Sequence, residues 1–244
     1  MSTEPERFFF AHVQKSAGTS LIFRLRREFG RAAMYPPESD KGDVASVISV
    51  DHLLDRWQTD RDTTRVVTGH FPLCTVDLLG ASFTTLTVLR EPVERTLSYL
   101  RHHRKLTPAD SERSLEAIYA DPFRFHGLIH NHMVKMFSLT LEEMTAGVLT
   151  PVEFTPDRLE RAKQNLARVD VVGDQSSFDD FCSELTRRFD WHLGDGTHVN
   201  RTTPVEVSNS FRARIADDNA MDVELYAFAQ QLVHERREQP EATP

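Results

Sequence analysis

The sequence predicts an α/β protein with a central parallel sheet of about four or five strands, helices on both faces and a mostly helical second half. Short runs rich in aromatic and β-branched residues alternate with segments of helical periodicity rather than with hairpin turns. With 39% hydrophobic and 27% charged residues, the composition is that of a folded globular chain. Its 244 residues are enough for a substantial core, so we expect a single domain over 1–244, with 239–244 as a frayed tail.

The elements are predicted from local pattern. Residues 7–14 form a short apolar run that suits a buried strand, and helical spacing of apolar residues follows from Gly18 to about Gly30. Further strands are predicted at 65–68, 83–89 and 169–172, and further helices at 50–57, 92–105, 111–120, 125–138, 140–146, 156–168, 176–189 and 219–237. The remainder of 31–64 is predicted to be a connection, and 194–201 a loop.

Charge and composition exclude several classes of function. The net charge is −8; residues 1–105 carry 15 Lys and Arg against 13 Asp and Glu, whereas the rest carries 14 against 24. This acidic balance argues against nucleic-acid binding but leaves a small anion open. No apolar run approaches the roughly 18 to 20 residues of a membrane span, and the acidic start does not resemble a signal peptide, so we expect a cytoplasmic protein. Two cysteines, Cys74 and Cys182, indicate neither a disulfide framework nor a thiolate metal site.

A candidate anion site lies between the first strand and the first helix. It comprises Lys15, Ser16, Ala17, Gly18, Thr19 and Ser20. Small residues permit a tight turn, so backbone N–H groups at the helix start can point to one place, beside the hydroxyls of Thr19 and Ser20 and the positive charge of Lys15. The segment is not a Walker P-loop, because Lys15 precedes its one glycine. An ordinary strand-to-helix turn with a Ser or Thr cap is the alternative.

A second candidate anion site follows the strand at 83–89. Arg90 comes directly after that strand, and parallel strands end at one edge of a sheet, so Arg90 is expected near the Lys15 loop. Its guanidinium suits a phosphate, and Ser98, about two turns into the next helix, adds a hydroxyl. Arg95 is instead predicted to pair with Glu91 or Glu94 on the helix surface. Together the two loops predict a ligand with two phosphate groups.

The segments FFFAHVQKSAGTSL and VLREPVERTLSYLRH resemble the two signature segments of sulfotransferases that use 3′-phosphoadenosine-5′-phosphosulfate (PAPS), in the branch that contains the heparan sulfate 2-O-sulfotransferases. In that family P-K-[ST]-[AG]-[GS]-T-S binds the 5′-phosphosulfate, and R-[DE]-P-x-x-R-x-x-S binds the 3′-phosphate. The similarity continues more weakly through VTGHFP, IHNHMVKMF, VVGDQSSFDDFCSEL and VNRT, so it covers most of the chain in order. Gln14 replaces the usual Pro and Glu91 the commoner Asp, but neither change removes a charged ligand.

This resemblance implies a P-loop-NTPase-like sheet and a sulfotransferase that uses PAPS, releases PAP and requires no metal. Residues 1–105 would supply the main PAPS-binding strands and loops, and 106–238 the acceptor side. Lys15 is expected to stabilise the leaving group. His70 follows the second strand in a Gly-His pair that aligns with the branch, and it is expected to be the general base. Arg201 is expected to close over the nucleotide, with a plain surface arginine as the alternative.

The acceptor is expected to be a hydroxyl of a small molecule, a lipid or a sugar, since the acidic second half attracts a long polyanion little. His12 is predicted to be a core residue. His130 and His132 should lie on different faces of a helix, which argues against a joint metal site, and one of them or Lys135 is a candidate for the acceptor pocket.

Two other functions remain open. One is a nucleotide kinase, although Walker A and an obvious Mg²⁺-binding Asp after a strand are missing; the other is a non-catalytic PAP-binding or interaction module.

Overall fold

A computed structural model describes residues 6–194 and 206–238 of the chain. Five parallel strands form one sheet in the order β2-β3-β1-β4-β5. They are β1 (Phe8–Ala11), β2 (Met34–Tyr35), β3 (Val66–Gly69), β4 (Thr84–Leu89) and β5 (Val171–Asp174). The predicted α/β class with a parallel sheet is therefore confirmed. The edge strand β2 was not predicted, because a strand of two residues has no periodicity to detect.

Strand β1 lies in the middle of the sheet and is buried on both faces. Phe8 and Phe10 pack into one apolar cluster, whereas Phe9 and Ala11 pack into another on the opposite face. A strand covered by helices on both sides needs apolar residues at every position, not only at alternate ones. This requirement explains why β1 consists of four consecutive apolar residues.

The strand order creates a crevice at the carboxyl edge of the sheet. From β1 the chain runs to β2 on one side of β1, whereas from β4 it runs to β5 on the other side. The neighbouring ends of β1 and β4 therefore flank the point at which the winding direction reverses. Ligands of open parallel sheets bind at such a point.

The helices are α1 (Gly18–Phe29), α2 (Ala45–Ile48), α3 (Val50–Asp60), α4 (Pro92–Leu106), α5 (Leu115–Tyr119), α6 (Pro122–Arg124), α7 (His132–Ser138), α8 (Pro156–Arg168), α9 (Phe178–Phe189), α10 (Asn209–Asp218) and α11 (Ala220–Glu238). Those predicted at 92–105, 156–168 and 219–237 are confirmed to within a residue or two. The helix predicted at 111–120 is shorter, and α10 was not predicted.

One predicted helix is interrupted, and another is wrong. The segment 125–138 is a π-helix, Phe125–Ile129, followed by a break and α7. Asn131 has a φ of 44° at this break, and its N–H donates to Asn219 Oδ1 at 2.8 Å, so a tertiary contact holds the interruption. Residues 140–146 are a turn, because the Thr150 hydroxyl accepts from the N–H groups of Thr145 and Ala146 and so competes with helical hydrogen bonds.

Within 6–194 and 206–238, no helix combines the length and the apolar character that crossing a lipid bilayer requires. The predicted tail, 239–244, lies outside the residues that the structure describes.

Candidate functional site

A cavity of about 1480 Å³ opens at the carboxyl edge of the sheet. Pockets for one small molecule have volumes of about 300–1000 Å³, so this cavity can hold more than one such ligand. The predicted site residues on its wall are Lys15, Ala17, Gly18, Thr19, Ser20, His70, Arg90 and Ser98. Ser16, in the same loop, is fully buried, and Arg201 lies outside the described residues.

The Lys15 loop leaves the start of α1 without a side-chain cap. Lys15 and Ala17 have φ angles of 67° and 64°, so two non-glycine residues adopt the left-handed conformation within one turn. Ala17, rather than a Ser or a Thr, occupies the N-cap and supplies no side-chain acceptor. The alternative of an ordinary capped turn is therefore wrong. The first N–H groups of an uncapped helix, with its positive dipole end, suit an anion.

Lys15 and Arg90 meet across the crevice. The Arg90 Nη1 donates to the Lys15 carbonyl oxygen at 3.2 Å, which ties the end of β1 to the end of β4. Burial, and then the neighbouring Arg90 charge, lower the pKa of Lys15 to about 8, and burial lowers the pKa of Arg90. The carboxylate of Glu94 is 3.9 Å from Arg90 Nη2 and compensates these charges only in part. Two adjacent, partly buried cations favour a bound anion.

His70 is fixed in one tautomer. Its Nδ1 lies 2.8 Å from the carbonyl oxygen of His12, and because a carbonyl only accepts, Nδ1 carries the proton and Nε2 is unprotonated. The ring packs on the His12 ring at 4.4 Å between centroids. Burial lowers the pKa of His70 to about 4, with a smaller contribution from Lys15, although the bond to His12 opposes this shift. At neutral pH the side chain is an uncharged proton acceptor on the cavity wall.

Buried polar atoms without a protein partner lie in both loops. Ser16 Oγ and Arg90 Nε are both inaccessible to solvent, and neither atom forms a hydrogen bond with another described residue. Buried polar groups normally have a partner, but Arg95 Nε and Thr96 Oγ1, away from the cavity, share this property, so it does not by itself mark a ligand site. The next residue, Glu91, has a structural role: its carboxylate accepts from the N–H groups of Val93 and Glu94 at 3.0 and 2.8 Å and caps α4.

Several predictions on individual side chains need correction. Arg95 is fully buried and donates to the Ile129 carbonyl oxygen at 3.0 Å, so the predicted surface pair with Glu91 or Glu94 is wrong. Glu94 pairs instead with Arg212 of α10 at 2.5 Å. The buried Arg95 joins α4 to the end of the π-helix.

None of the three side chains considered for the acceptor pocket lines the cavity. Lys135 is buried and donates to two carbonyl oxygens of the π-helix, and His132 is fully buried in α7. His130 lies outside the cavity wall as well. His12 is buried as predicted, and its ring also lines the cavity.

Sequence reasoning missed further cationic groups on the cavity wall. Arg101 and Arg212 join Lys15 and Arg90 there, against the carboxylates of Glu94 and Glu206. Among the residues that the structure describes, the cavity wall thus has more positive than negative side chains, in a chain of net charge −8. Arg101 follows Ser98 by three residues, so helical spacing places both on one face of α4 and would have indicated it. Arg212 lies on the unpredicted α10, and no local signal pointed to it.

Comparison with known proteins does not assign the chain to a family. No family model matches it, and no curated protein matches it significantly.

Proposed function

We propose that this protein is a sulfotransferase that moves the sulfuryl group of PAPS to a hydroxyl of a small acceptor. One observation supports this most strongly: the Lys15 loop and Arg90 are joined by a 3.2 Å hydrogen bond at the crevice between β1 and β4, and His70 lies on the same cavity wall. The proposal includes a P-loop-NTPase-like sheet. In its favour, β1 is central, and the anion-binding loop connects it to α1.

The donor would occupy the basic part of the cavity. We assign its 5′-phosphosulfate to the N–H groups at the start of α1 and to the hydroxyls of Thr19 and Ser20. The 3′-phosphate is assigned to Arg90 and Ser98.

The residues of the cavity supply what sulfuryl transfer requires. PAPS, when bound, provides an activated sulfuryl group attached to its 5′-phosphate. His70 Nε2 would accept the hydroxyl proton of the acceptor, a contribution of about 10²- to 10⁴-fold for a well-placed general base. The Lys15 ammonium would stabilise the negative charge that develops on the leaving phosphate oxygen. The Nδ1 proton of His70, bound to the His12 carbonyl oxygen, holds the imidazole in the required tautomer.

A nucleotide kinase fits the same cavity less well. A kinase needs a carboxylate for Mg²⁺, and Asp174, the last residue of β5, is an acidic residue at a strand end. Its oxygens already accept hydrogen bonds from the Ser176 N–H, the Tyr226 hydroxyl and the Gln230 amide, and the residue does not line the cavity.

The test combines PAP binding with a transfer assay. Calorimetry should detect PAP binding to the wild-type protein, and PAPS should sulfate one or more members of a panel of alcohols and sugars, as a mass shift. We expect Lys15→Ala to lose both binding and transfer. His70→Ala should keep its affinity for PAP but lose about 10²- to 10⁴-fold in rate. His234→Ala, a change of an exposed histidine outside the cavity, is the matched control.

Two results would contradict the proposal. If PAP binds but no acceptor is sulfated, the protein is a binding module. If ATP with Mg²⁺ binds more tightly than PAPS, it is a kinase.

A further inference from the structure

The main cavity has two chemically different parts. Its cationic side chains belong to the loop after β1, to the segment from Arg90 through α4, and to α10. The other part is apolar and begins next to His70. The residues that line it are Val44, Val47, Ile48, Leu128 and Leu149.

The apolar residues form a continuous wall that starts at the proposed base. The backbone N–H of His70 donates to the Val47 carbonyl oxygen at 2.7 Å, which fixes α2 against His70. A Cβ on Gly147 would lie 2.9 Å from the Ile48 carbonyl oxygen, so the turn that carries Leu149 packs directly on the end of α2. A Cβ on Gly127 would lie 3.5 Å from Leu149, which brings that side chain to the π-helix beside Leu128.

A second pocket extends this apolar region. It has a volume of about 380 Å³ and shares Ile48 and Leu149 with the main cavity. Beyond these two residues its apolar lining includes Val50, Leu54, Leu78, Leu141 and Met144. Because they line both pockets, Ile48 and Leu149 lie between the two spaces. Both side chains have rotatable bonds.

From this arrangement, and on the basis of the proposed function, we infer that the acceptor is an alcohol with an apolar hydrocarbon body. Its hydroxyl would lie at His70 Nε2, and its body would lie along the apolar wall toward the second pocket. A sugar presents several hydroxyls that need hydrogen-bond partners. The side chains of this wall offer none, and the second pocket adds only those of Ser49, Asp51 and Thr145 to its apolar lining. The volume of about 1480 Å³ leaves space for such an acceptor beside the donor.

The experiment measures binding separately from transfer. Calorimetry with protein saturated with PAP would compare 1-butanol, 1-hexanol and 1-octanol with glucose. Each buried methylene should raise the affinity about two- to fourfold. Ile48→Asn should weaken 1-octanol binding about tenfold and leave PAP affinity unchanged. Val44→Asn should weaken 1-octanol binding less than Ile48→Asn does. The Val44 side chain is 65% exposed, so the protein should tolerate this change. The control is Leu106→Asn, since Leu106 is 62% exposed and lies outside both pockets.

Sulfation with PAPS should show the same order of acceptors in kcat/KM. The inference is wrong if glucose is bound or sulfated better than 1-octanol, if affinity does not depend on chain length, or if Ile48→Asn has no more effect than Leu106→Asn. If PAP binds and the alcohols do not, the inference fails while the proposed function stands. If the alcohols bind and PAP does not, the proposed function fails, and with it the assignment of these alcohols as acceptors.

Discussion

Burial sets the protonation state of the two proposed catalytic side chains. It lowers the pKa of His70 to about 4 and, with the Arg90 charge, the pKa of Lys15 to about 8. His70 is then an unprotonated base above about pH 4, and Lys15 loses its positive charge as the pH rises through about 8. We expect kcat/KM to follow a bell-shaped pH profile with limbs near these two values. An acidic limb near 6.5, the ordinary histidine pKa, would contradict the assignment of His70 in this environment.

The alkaline limb can be assigned to Lys15 by substitution. Arginine stays protonated up to a pH of about 12, so Lys15→Arg should remove the alkaline loss of PAP affinity. In the wild-type protein we expect PAP affinity to fall up to about tenfold per pH unit above 8, because Lys15 attracts the anion only in its charged form. Calorimetric titrations at several pH values would measure both proteins. If PAP affinity falls equally steeply with pH in the wild-type protein and in Lys15→Arg, a group other than Lys15 titrates.

Gly18 is required by the close approach of His12. A Cβ at this position would lie 1.9 Å from His12 Nε2. The His12 ring packs against the rings of both Phe10 and His70, so it has little freedom to move away. We expect Gly18→Ala to lower the free energy of unfolding by about 1–3 kcal/mol and to weaken PAP binding. Urea unfolding and calorimetry would measure these effects.

Gly127→Ala is the matched control for this substitution. The nearest atom to its added Cβ would be 3.5 Å away, an ordinary contact, so little change is expected. If Gly18→Ala unfolds at the same urea concentration as Gly127→Ala, the His12 contact does not constrain the loop.

At the scale of secondary-structure elements, sequence predicted what local interactions determine. β1 has its own apolar pattern, and α4 has Pro92 in its first turn, so both were found. The break at Asn131 and the helix α10 were not found, because they depend on partners distant in the chain. Asn131 bonds to Asn219, 88 residues away, and α10 is held against α4 by Arg212 and Glu94.

The same limit applies to the candidate site. Its two candidate anion-binding loops each follow a buried strand, so their meeting at one edge of the sheet could be expected from topology. The buried position of Arg95 could not, since its carbonyl acceptors belong to a π-helix that periodicity does not reveal. The apolar wall combines α2, the π-helix and a turn, which only the tertiary structure brings together.

The start of α11 stabilises the start of α7. The carboxylate of Asp222 accepts from the N–H groups of Val134 and Met133 at 2.8 and 3.1 Å. It is also a counter-charge for Arg95 and Lys135, since burial lowers the pKa of both side chains and Asp222 opposes that shift.

Asp222→Asn keeps the size but removes the charge and one acceptor, so we expect a loss of about 3 kcal/mol in the free energy of unfolding. Urea denaturation would measure it, with the exposed Asp217→Asn as control. Equal stability of the two variants would show that Asp222 does not hold these helices.

At the scale of the whole molecule, the two halves of the sequence share their core. One apolar cluster includes Phe9 and Val67 from the first half together with Leu166 and Leu225 from the second. Strand β5 from the second half also pairs with β4 from the first. Residues 1–105 therefore lack part of their own sheet and core when alone, and we expect the full chain to unfold in one cooperative transition.

A ligand bound at the crevice between β1 and β4 should stabilise that entire unit, because it contacts elements that unfold together. PAP at 100 times its Kd would add about 2.7 kcal/mol to the free energy of unfolding. We expect PAP to shift the denaturation midpoint of the wild-type protein to higher urea concentration while the transition remains single. Fluorescence and circular dichroism should report the same shift. Lys15→Ala should unfold near the wild-type midpoint without ligand and shift little when PAP is added. A PAP-induced shift seen by one probe only would mean that the donor loops unfold separately from the rest, and a full shift in Lys15→Ala would mean that PAP binds elsewhere.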